Sequence, residues 1–125
     1  MTRHPVFDRV SPGLLQHIPY EHPQSPISVV IESDEFTCIC PWTRLPDTAH
    51  LRIEYLPRLR VVELKSLKYY LMSFRNVGMV HETVVNVIYD HLAACVRPRR
   101  LIVELRFGVR GGIVTTVRRE SGGRR

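Results

Sequence analysis

Cys40 and Asp47 are the first pair of residues in the sequence that could do chemistry together. They lie seven positions apart in the stretch FTCICPWTRLPDTAH, with Pro41 and Pro46 directly beside them. Regular secondary structure does not bring the two side chains together. A turn between the prolines, however, could fold the carboxyl group back over the sulfur, which would place a nucleophile and a proton donor in one loop.

The same spacing has a simpler interpretation that involves no catalysis. A buried cysteine often packs as a small apolar side chain, and an aspartate often begins a turn. Spacing alone favours this interpretation. Cys38 lies two residues before Cys40 and is expected on the same face of the strand, where packing is sufficient to explain it.

His81 and Glu82 form a second candidate pair at the start of a predicted helix. The helix dipole stabilises a carboxylate at this end, and the carboxylate can cap free amide groups, which by itself explains Glu82. In a binding site, the carboxylate could instead accept two hydrogen bonds from the N–H edge of a purine-like base while the imidazole moves protons. The two residues alone leave both interpretations open.

The stretch ELKSLKYYLMSFRN contains Lys65 and Lys68, the only lysines among eighteen Lys and Arg residues. An ordinary amphipathic helix with both lysines solvated on its outer face would account for them. Two flexible ammonium groups one helical turn apart could also reach the phosphates of a ligand as mobile point charges. Their isolation in an arginine-rich chain is what raises this second interpretation.

The formal net charge is +6, and it comes largely from the C-terminal part, which has nine arginines and two glutamates from Arg97 onward. Such a surface attracts anions, but charge does not choose among a nucleic acid, a phosphorylated cofactor, a phosphate-bearing substrate and simple solvation. Three cysteines without a C-x-x-C pair predict free thiols and no structural zinc. The sequence also lacks an apolar run long enough for a membrane span and a signal-peptide pattern, so we expect a cytoplasmic protein.

The length of 125 residues predicts one domain. Residues 1–26 contain five prolines and no sustained period, which predicts an irregular arm, and residues 120–125 are expected to form a basic, disordered tail. The domain between them, 27–119, shows alternating and helical hydrophobic patterns. They predict strands over 27–35 and 49–57, a short extended piece over 59–64, helices over 66–76 and 80–96, and strands over 99–109 and 112–119.

The resulting order, ββααββ, predicts an α+β protein with two helices on one face of an antiparallel sheet. Residues 110–112 are expected to join the last two strands as a hairpin, because glycine accepts positive φ. The predicted helix faces that contact the sheet comprise Leu67, Leu71, Phe74, Val84, Val87, Ile88, Leu92 and Cys95. The other sheet face would carry arginines, and assembly into a ring would supply partners for both sheet edges.

Taken together, these stretches resemble the 7-cyano-7-deazaguanine reductases, the nitrile reductases of queuosine biosynthesis, in their short single-domain form. The resemblance spans roughly Ile27 to Val117 and rests on FTCICP, the PD seven residues after the thiol, VELKSLKYYLMSFRN, HE and the late RGG. Its most specific element is the motif Glu-(Ser/Leu)-Lys-(Ser/Ala)-x-Lys followed by aromatic residues. The motif is complete from Glu63 to Tyr70, and in that family it is associated with NADPH.

The resemblance implies a role for each matching residue. Cys40 would add to the nitrile carbon to give a covalent thioimide, and Asp47 would protonate the nitrogen. Two hydride transfers from NADPH would then lead through a thiohemiaminal and an imine to the primary amine. The remaining roles would be cofactor binding by Lys65, Lys68 and Arg110, and binding of the deazaguanine by Val62, Glu63, Leu64, His81 and Glu82.

The resemblance further implies the tunnelling fold, in which ββααββ subunits form rings, as pentamers or stacked pentamers, with sites between subunits. It implies no metal, no membrane and no stable nucleic-acid partner, because the family acts on the free base. Val109 stands where relatives would have proline, and the C-terminus is short. Two alternatives remain: a related enzyme that adds ammonia to the nitrile without a cofactor and makes an amidine, and an arginine-rich nucleic-acid-binding module.

Overall fold

The structure, a computed structural model, describes residues 9–122 with the exception of the Arg110 side chain. It contains six strands, two α-helices and a short 3-10 turn within that range. In chain order these are the 3-10 turn Pro12–Leu14, β1 (His17–Pro19), β2 (Val29–Ile39), β3 (Pro46–Leu56), β4 (Arg60–Val62), α1 (Leu64–Met72), α2 (His81–Val96), β5 (Arg100–Arg110) and β6 (Ile113–Glu120).

Four long strands form one antiparallel sheet in the order β2-β3-β5-β6. Alternation along β3 decides which face is buried, because Leu51 and Ile53 are almost fully buried and pair with Leu105 and Val103 of β5. Both helices contribute to the same buried cluster as these side chains. The predicted α+β arrangement, with two helices on one face of an antiparallel sheet, is confirmed.

The helices present the expected apolar faces with small differences at their margins. Leu67 and Phe74 are buried, as are Val84, Ile88 and Leu92, whereas Leu71, Val87 and Cys95 are only partly buried. Tyr70, Val85 and Val96 occupy core positions that the sequence patterns did not predict. α2 ends at Val96, the next residue Arg97 has a left-handed backbone with φ of 51°, and Pro98 follows.

Part of the segment predicted as an irregular N-terminal arm has regular structure. β1 pairs antiparallel with β4, with His17 opposite Val62, and Leu15 is buried in the core. Ser66 of α1 and Ser73, which follows the helix, hold the segment, because Gln16 N donates to Ser66 Oγ at 2.9 Å and Ser11 N donates to Ser73 Oγ at 3.0 Å. Residues 1–8 lie outside the described residues, so the domain boundary at residue 27 stays a prediction.

At the other end of the chain, β6 continues through Glu120, the first residue of the predicted tail. Ser121 then bonds to Leu101 through both its backbone N–H and its hydroxyl, each at 2.9 Å. Residues 123–125, the rest of the predicted tail, lie outside the described residues. None of the helices within residues 9–122 is long and apolar enough to cross a membrane.

The sheet face opposite the helices is charged but largely neutralised in pairs. Arg52 bonds to Glu54 at 2.9 Å, and Arg100 bonds to Glu120 at 2.7 Å. Arg118 lies between two carboxylates, those of Glu104 and Glu120. The arginines predicted for this face are therefore present, and several of them form ion pairs with carboxylates of the same face.

Candidate active site

Cys40 lies in a closed loop between β2 and β3. Its backbone N–H donates to the carbonyl of Leu45 at 2.9 Å, and its carbonyl accepts from the N–H of Arg44 at 2.9 Å. Arg44 has a positive φ of 65°, which turns the chain back toward β3. Because both backbone groups of Cys40 are bonded within the loop, the position of the thiol is fixed by the turn.

The start of α2 is tied to the end of β2 beside this loop. Ile39 N donates to the carbonyl of Val77 at 2.9 Å, and Met79 N donates to the carbonyl of Ile39 at 3.0 Å. These two bonds form a short parallel bridge between Ile39 and Gly78. The bridge brings His81, the first residue of α2, close to the loop that carries Cys40.

Asp47, His81 and Phe107 form a buried contact that joins β3, α2 and β5. The Asp47 carboxylate lies 3.2 Å from Nε2 of His81, and only 8% of Asp47 is exposed. The imidazole stacks on the ring of Phe107, with centroids 3.6 Å apart and planes within 5°. Since the ring is fixed on both sides, His81 can hold the carboxyl group of Asp47 in one orientation.

The pKa values of two thiols in this region are shifted in opposite directions. The hydroxyl of Thr43 and the backbone N–H groups of Thr43 and Trp42 donate hydrogen bonds that lower the pKa of the Cys40 thiol. Burial, together with the nearby Asp47 carboxylate, raises the pKa of Cys38 to about 12. Of these two thiols, Cys40 is therefore the one that ionises more readily, and Cys38 packs in the core, as the sequence suggested.

Cys40, Asp47, His81 and Glu82 line one open cavity of about 880 Å³. This volume is in the range of small-molecule sites, which span about 300 to 1,000 Å³. Trp42, Phe107 and the hairpin residues Val109 and Ile113 complete its apolar surface. A thiol, a carboxyl group, an imidazole and a second carboxylate thus face one space large enough for a flat heterocycle.

The other predicted site residues lie outside this cavity. Val62 is buried and donates its N–H to the hydroxyl of Tyr55 at 3.0 Å, and Leu64 is 61% exposed. The Glu63 carboxylate caps α1 by accepting from the N–H groups of Lys65 at 2.9 Å and Ser66 at 2.8 Å, and these bonds lower its pKa. Within one chain, the segment 62–64 and the thiol belong to separate surfaces.

Lys65 and Lys68 are exposed on α1, one helical turn apart. Neither ammonium group forms a salt bridge with another residue between positions 9 and 122. Lys68 also lines a groove of about 480 Å³ between α1 and β2, which Arg75 and Leu64 border. Both ammonium groups are therefore exposed to any negatively charged ligand that binds beside α1. The Arg110 side chain, predicted for the same role, lies outside the described residues.

Three residues of the cavity region were not singled out by the sequence patterns: Trp42, Thr43 and Phe107. Trp42 is the only tryptophan in the chain, and in the structure it is 78% exposed. Its position two residues after Cys40 is the sequence signal that could have indicated it. Phe107 and Thr43 carry no such signal, because the sheet register and the loop geometry determine their contacts.

The fold and this cavity together define a tunnelling-fold protein whose candidate active site contains a cysteine, an aspartate, a histidine and a glutamate. The protein-family model described as "QueF-like protein" matches residues 46–125, and the chain belongs to this family. It is 47% identical to the NADPH-dependent 7-cyano-7-deazaguanine reductase of Caldicellulosiruptor bescii, over 89% of this chain and 85% of the relative. It is 50% identical to the protein of the same name from Anaeromyxobacter sp. (strain K), over 88% of this chain and 90% of the relative.

Among solved structures, the chain is similar to the crystal structure of the archaeosine synthase QueF-Like in the apo form. The two share 26% sequence identity with a TM-score of 0.74, over 81% of this chain and 99% of that chain. This likeness confirms the predicted tunnelling fold of the subunit. The family resemblance recognised from the motifs is confirmed as well.

Proposed function

We propose that this protein is an NADPH-dependent 7-cyano-7-deazaguanine reductase, which converts the nitrile of its substrate into an aminomethyl group for queuosine biosynthesis. The single observation that carries the proposal is the cavity that unites Cys40, Asp47, His81 and Glu82. The names of relatives that are 47% and 50% identical supply the substrate and the cofactor.

The first chemical step is addition of the Cys40 thiolate to the nitrile carbon. A new S–C bond forms, one π bond of the C≡N group breaks, and the nitrogen takes a proton from the carboxylic acid of Asp47. The thiol proton leaves to solvent when Cys40 ionises and Asp47 regains a proton from solvent, so the net change is addition of S–H across the triple bond. A poor hydride acceptor thereby becomes a C=N bond, which splits one difficult reaction into easier steps.

When bound, NADPH supplies one hydride to the thioimide carbon and, from a second molecule, one hydride to the imine. Between these transfers, the thiohemiaminal collapses and Cys40 leaves as a thiolate. Asp47 is the group placed to return protons to the nitrogen, and the overall reaction consumes two protons with the two hydrides. His81, fixed between Asp47 and Phe107, keeps the proton donor oriented through both rounds.

Substrate recognition is assigned to Glu82 and to the apolar surface of the cavity. The Glu82 carboxylate can accept two N–H groups from the edge of the deazaguanine. Holding the base there would place the nitrile against Cys40, and such positioning can contribute several kcal/mol to catalysis, about 7 or more in favourable cases. Val62, Glu63 and Leu64 are assigned to the same base, but from a neighbouring subunit.

The separation of the segment 62–64 from Cys40 within one chain supports a site completed by a second copy. β2 and β6 are the edge strands of the sheet, so subunits can pair edge to edge and close into a ring, as pentamers or stacked pentamers. Sedimentation of the purified protein would test this, because a monomer at catalytic concentrations would contradict a shared site.

We further propose a cytoplasmic location.

A nucleic-acid-binding module is disfavoured by the arginines themselves. Arg52, Arg100, Arg118 and Arg119 each form an ion pair with a carboxylate, which lowers the positive potential that they present to a polyanion. The amidine-forming alternative is favoured only by the structural likeness to an archaeosine synthase at 26% identity. The exposed lysine pair on α1, which suits a phosphate-bearing cofactor, supports the reductase instead.

The deciding experiment supplies 7-cyano-7-deazaguanine with NADPH in one reaction and with ammonium in another. We expect oxidation of two NADPH for each nitrile consumed and formation of the aminomethyl product. Formation of an amidine with ammonium, without NADPH oxidation, would assign the protein to the other activity. A reaction with neither would overturn the proposed function.

A further inference from the structure

His81 is the first residue of α2, and the backbone at this helix start does not by itself orient its side chain. Val80, the N-cap residue, has no polar side chain to cap the helix. The bridge between Ile39 and Gly78 fixes where the chain runs, but a backbone bridge leaves the side-chain torsions of His81 free. The imidazole is 25% exposed and lines the cavity. Its orientation must therefore come from the side chains that contact it.

Phe107 covers one face of the imidazole of His81. The two ring centroids lie 3.6 Å apart and the planes are within 5°, so the rings lie face to face at van der Waals contact. This stack fixes the plane of the imidazole. The contact of 3.2 Å between Nε2 and Oδ2 of Asp47 fixes the direction of one nitrogen within that plane. Without the stack, the imidazole could turn about this single polar contact.

Phe107 is held by strands on both sides. It pairs with Ala49 of β3 and with Thr115 of β6, and only 2% of it is exposed. It is also the last residue of β5 before the register with β6 shifts. Because Asp47 lies two residues before Ala49 on β3, its carboxyl group and the Phe107 ring leave the sheet on the same face. The sheet register thus places side by side the two groups that contact His81.

We propose that Phe107 is a positioning residue for the proton donor: by stacking on His81, it fixes the imidazole that orients the Asp47 carboxyl group toward the nitrile nitrogen. Phe107 itself exchanges no proton, and its effect reaches the reaction through His81. The inference rests on the proposed function for the nitrile and for the role of Asp47 as the acid. The fixing of the imidazole is a property of the folded chain and is measurable without substrate.

The first measurement is the rate at which diethyl pyrocarbonate acylates His81, followed by peptide mass so that the other histidines do not interfere. Phe107→Leu removes the ring and keeps a large apolar side chain. We expect His81 to react about two- to tenfold faster in this variant, in line with the loss of one aromatic pair. Phe107→Tyr keeps the stack and should retain the wild-type rate.

Phe74→Leu serves as the matched control. Phe74 is also a buried ring, with aromatic contacts to Phe36 and Tyr70, but it does not line the cavity. His81 should react at the wild-type rate in this variant. If Phe107→Leu does not fold, Phe107→Met provides the same comparison. An unchanged rate in the ring-free variant overturns the proposal, and so does an increase that Phe74→Leu or Phe107→Tyr shows equally.

The second measurement follows the rate of nitrile adduct formation at Cys40 in a double-mutant cycle. Phe107→Leu should slow the adduct by about tenfold or more, because a misplacement of about 1 Å can cost a hundredfold. Affinity for the base, measured by Trp42 fluorescence, should change much less. In a His81→Ala background, Phe107→Leu should have little further effect, since the two residues act as one unit.

Three outcomes of the cycle overturn the proposal: an adduct rate that stays at the wild-type value, equal losses in both backgrounds, and a loss of affinity that matches the loss of rate. The last two would mean that Phe107 shapes the surface for the base. The nitrile also separates this inference from the proposed function. If His81 reacts as expected but wild-type protein forms no adduct with 7-cyano-7-deazaguanine, the fixed imidazole stands and the substrate assignment fails.

Discussion

The cavity around Cys40 and the start of α1 are built in different ways, although both carry residues of the proposed reaction. In the cavity, side chains from a loop, β3, α2 and β5 converge, and Asp47, His81 and Phe107 fix one another. At the start of α1, the polar side chains of Glu63 and Ser66 bond to the helix itself and to the N-terminal segment. The groups proposed for the chemistry are held together within one chain, whereas the lysines proposed for the cofactor are exposed, so we expect a ligand or a second copy to complete that side.

The sharpest test of this difference compares two cysteines that lie two residues apart. Cys40→Ala should abolish the covalent adduct with 7-cyano-7-deazaguanine, because Cys40 is the only cysteine among the described residues that line the cavity. Cys38→Ala should retain the adduct, since Cys38 is buried and its pKa is raised to about 12. Intact-mass measurement reports the gain directly, and an adduct that survives in Cys40→Ala would show that the nucleophile is assigned wrongly.

Asp47 and Glu82 line the same cavity, but substitutions of the two residues should impair different steps, turnover for Asp47 and binding for Glu82. Asp47→Asn removes the proton donor and should reduce turnover by about a hundred- to ten-thousandfold while the base still binds. Glu82→Ala should weaken binding itself. Trp42, the only tryptophan, lines the same cavity, so its fluorescence provides a binding titration for both variants. Equal losses of affinity in the two variants would mean that positioning and acid catalysis are not divided between them.

The lysine pair should affect the cofactor and leave the cavity intact. Charge-assisted hydrogen bonds contribute about 1.5 to 3 kcal/mol each, so Lys65→Ala or Lys68→Ala should raise KM for NADPH by roughly ten- to a hundredfold. Adduct formation at Cys40 should be unchanged, because it precedes hydride transfer. NADH should be a poorer cofactor than NADPH for the wild type.

The control for the lysines is Arg75→Ala, which removes a cation that borders the same groove but lies outside the motif. Steady-state oxidation of NADPH and the mass of the nitrile adduct are measured for each variant. A double Lys65→Ala, Lys68→Ala variant that oxidises NADPH normally would identify both lysines as solvated surface. The strongest reason for preferring a reductase over the amidine-forming alternative would then disappear.

The sequence predicted the elements well where local pattern decides the structure. Leu51, Ile53 and Tyr55 alternate with polar residues along β3, so the buried face of that strand follows from the alternation in the sequence. The short strand β1 was missed, because three residues that include Pro19 carry no periodic signal and are ordered only by pairing with β4. Local pattern is insufficient wherever a partner strand supplies the hydrogen bonds.

The candidate site shows the same limit at the level of side chains. The motif around Cys40 and Asp47 predicted that the two residues share a site, and both line one cavity, but the stacking of His81 on Phe107 depends on how α2 lies against β5. The lowered pKa of the Cys40 thiol depends on the backbone conformation of a closed turn, which residue types do not encode. Glu63 belongs to the same motif as the lysines and was predicted to bind the base. In the structure its carboxylate caps α1.

Ser66 provides the smallest and most local test of the comparison, because it belongs to the lysine motif but contacts the N-terminal segment. Its buried hydroxyl accepts from Gln16 N at 2.9 Å and donates to Glu63 O at 2.7 Å. Ser66→Ala should lower the free energy of unfolding by about 1 to 3 kcal/mol, since Gln16 N would be left without its partner. Urea denaturation with an unchanged slope would measure this loss.

Ser33→Ala is the matched control, because that hydroxyl accepts only a local bond from Glu35 N in an exposed part of β2. Its effect should stay within about 0.5 kcal/mol, as is usual for surface positions. The same Ser66→Ala protein should keep the wild-type KM for NADPH, since the serine orders the chain beside the lysines without touching the cofactor. A raised KM with unchanged stability would reverse that assignment and would make Ser66, like Lys65 and Lys68, part of the cofactor surface.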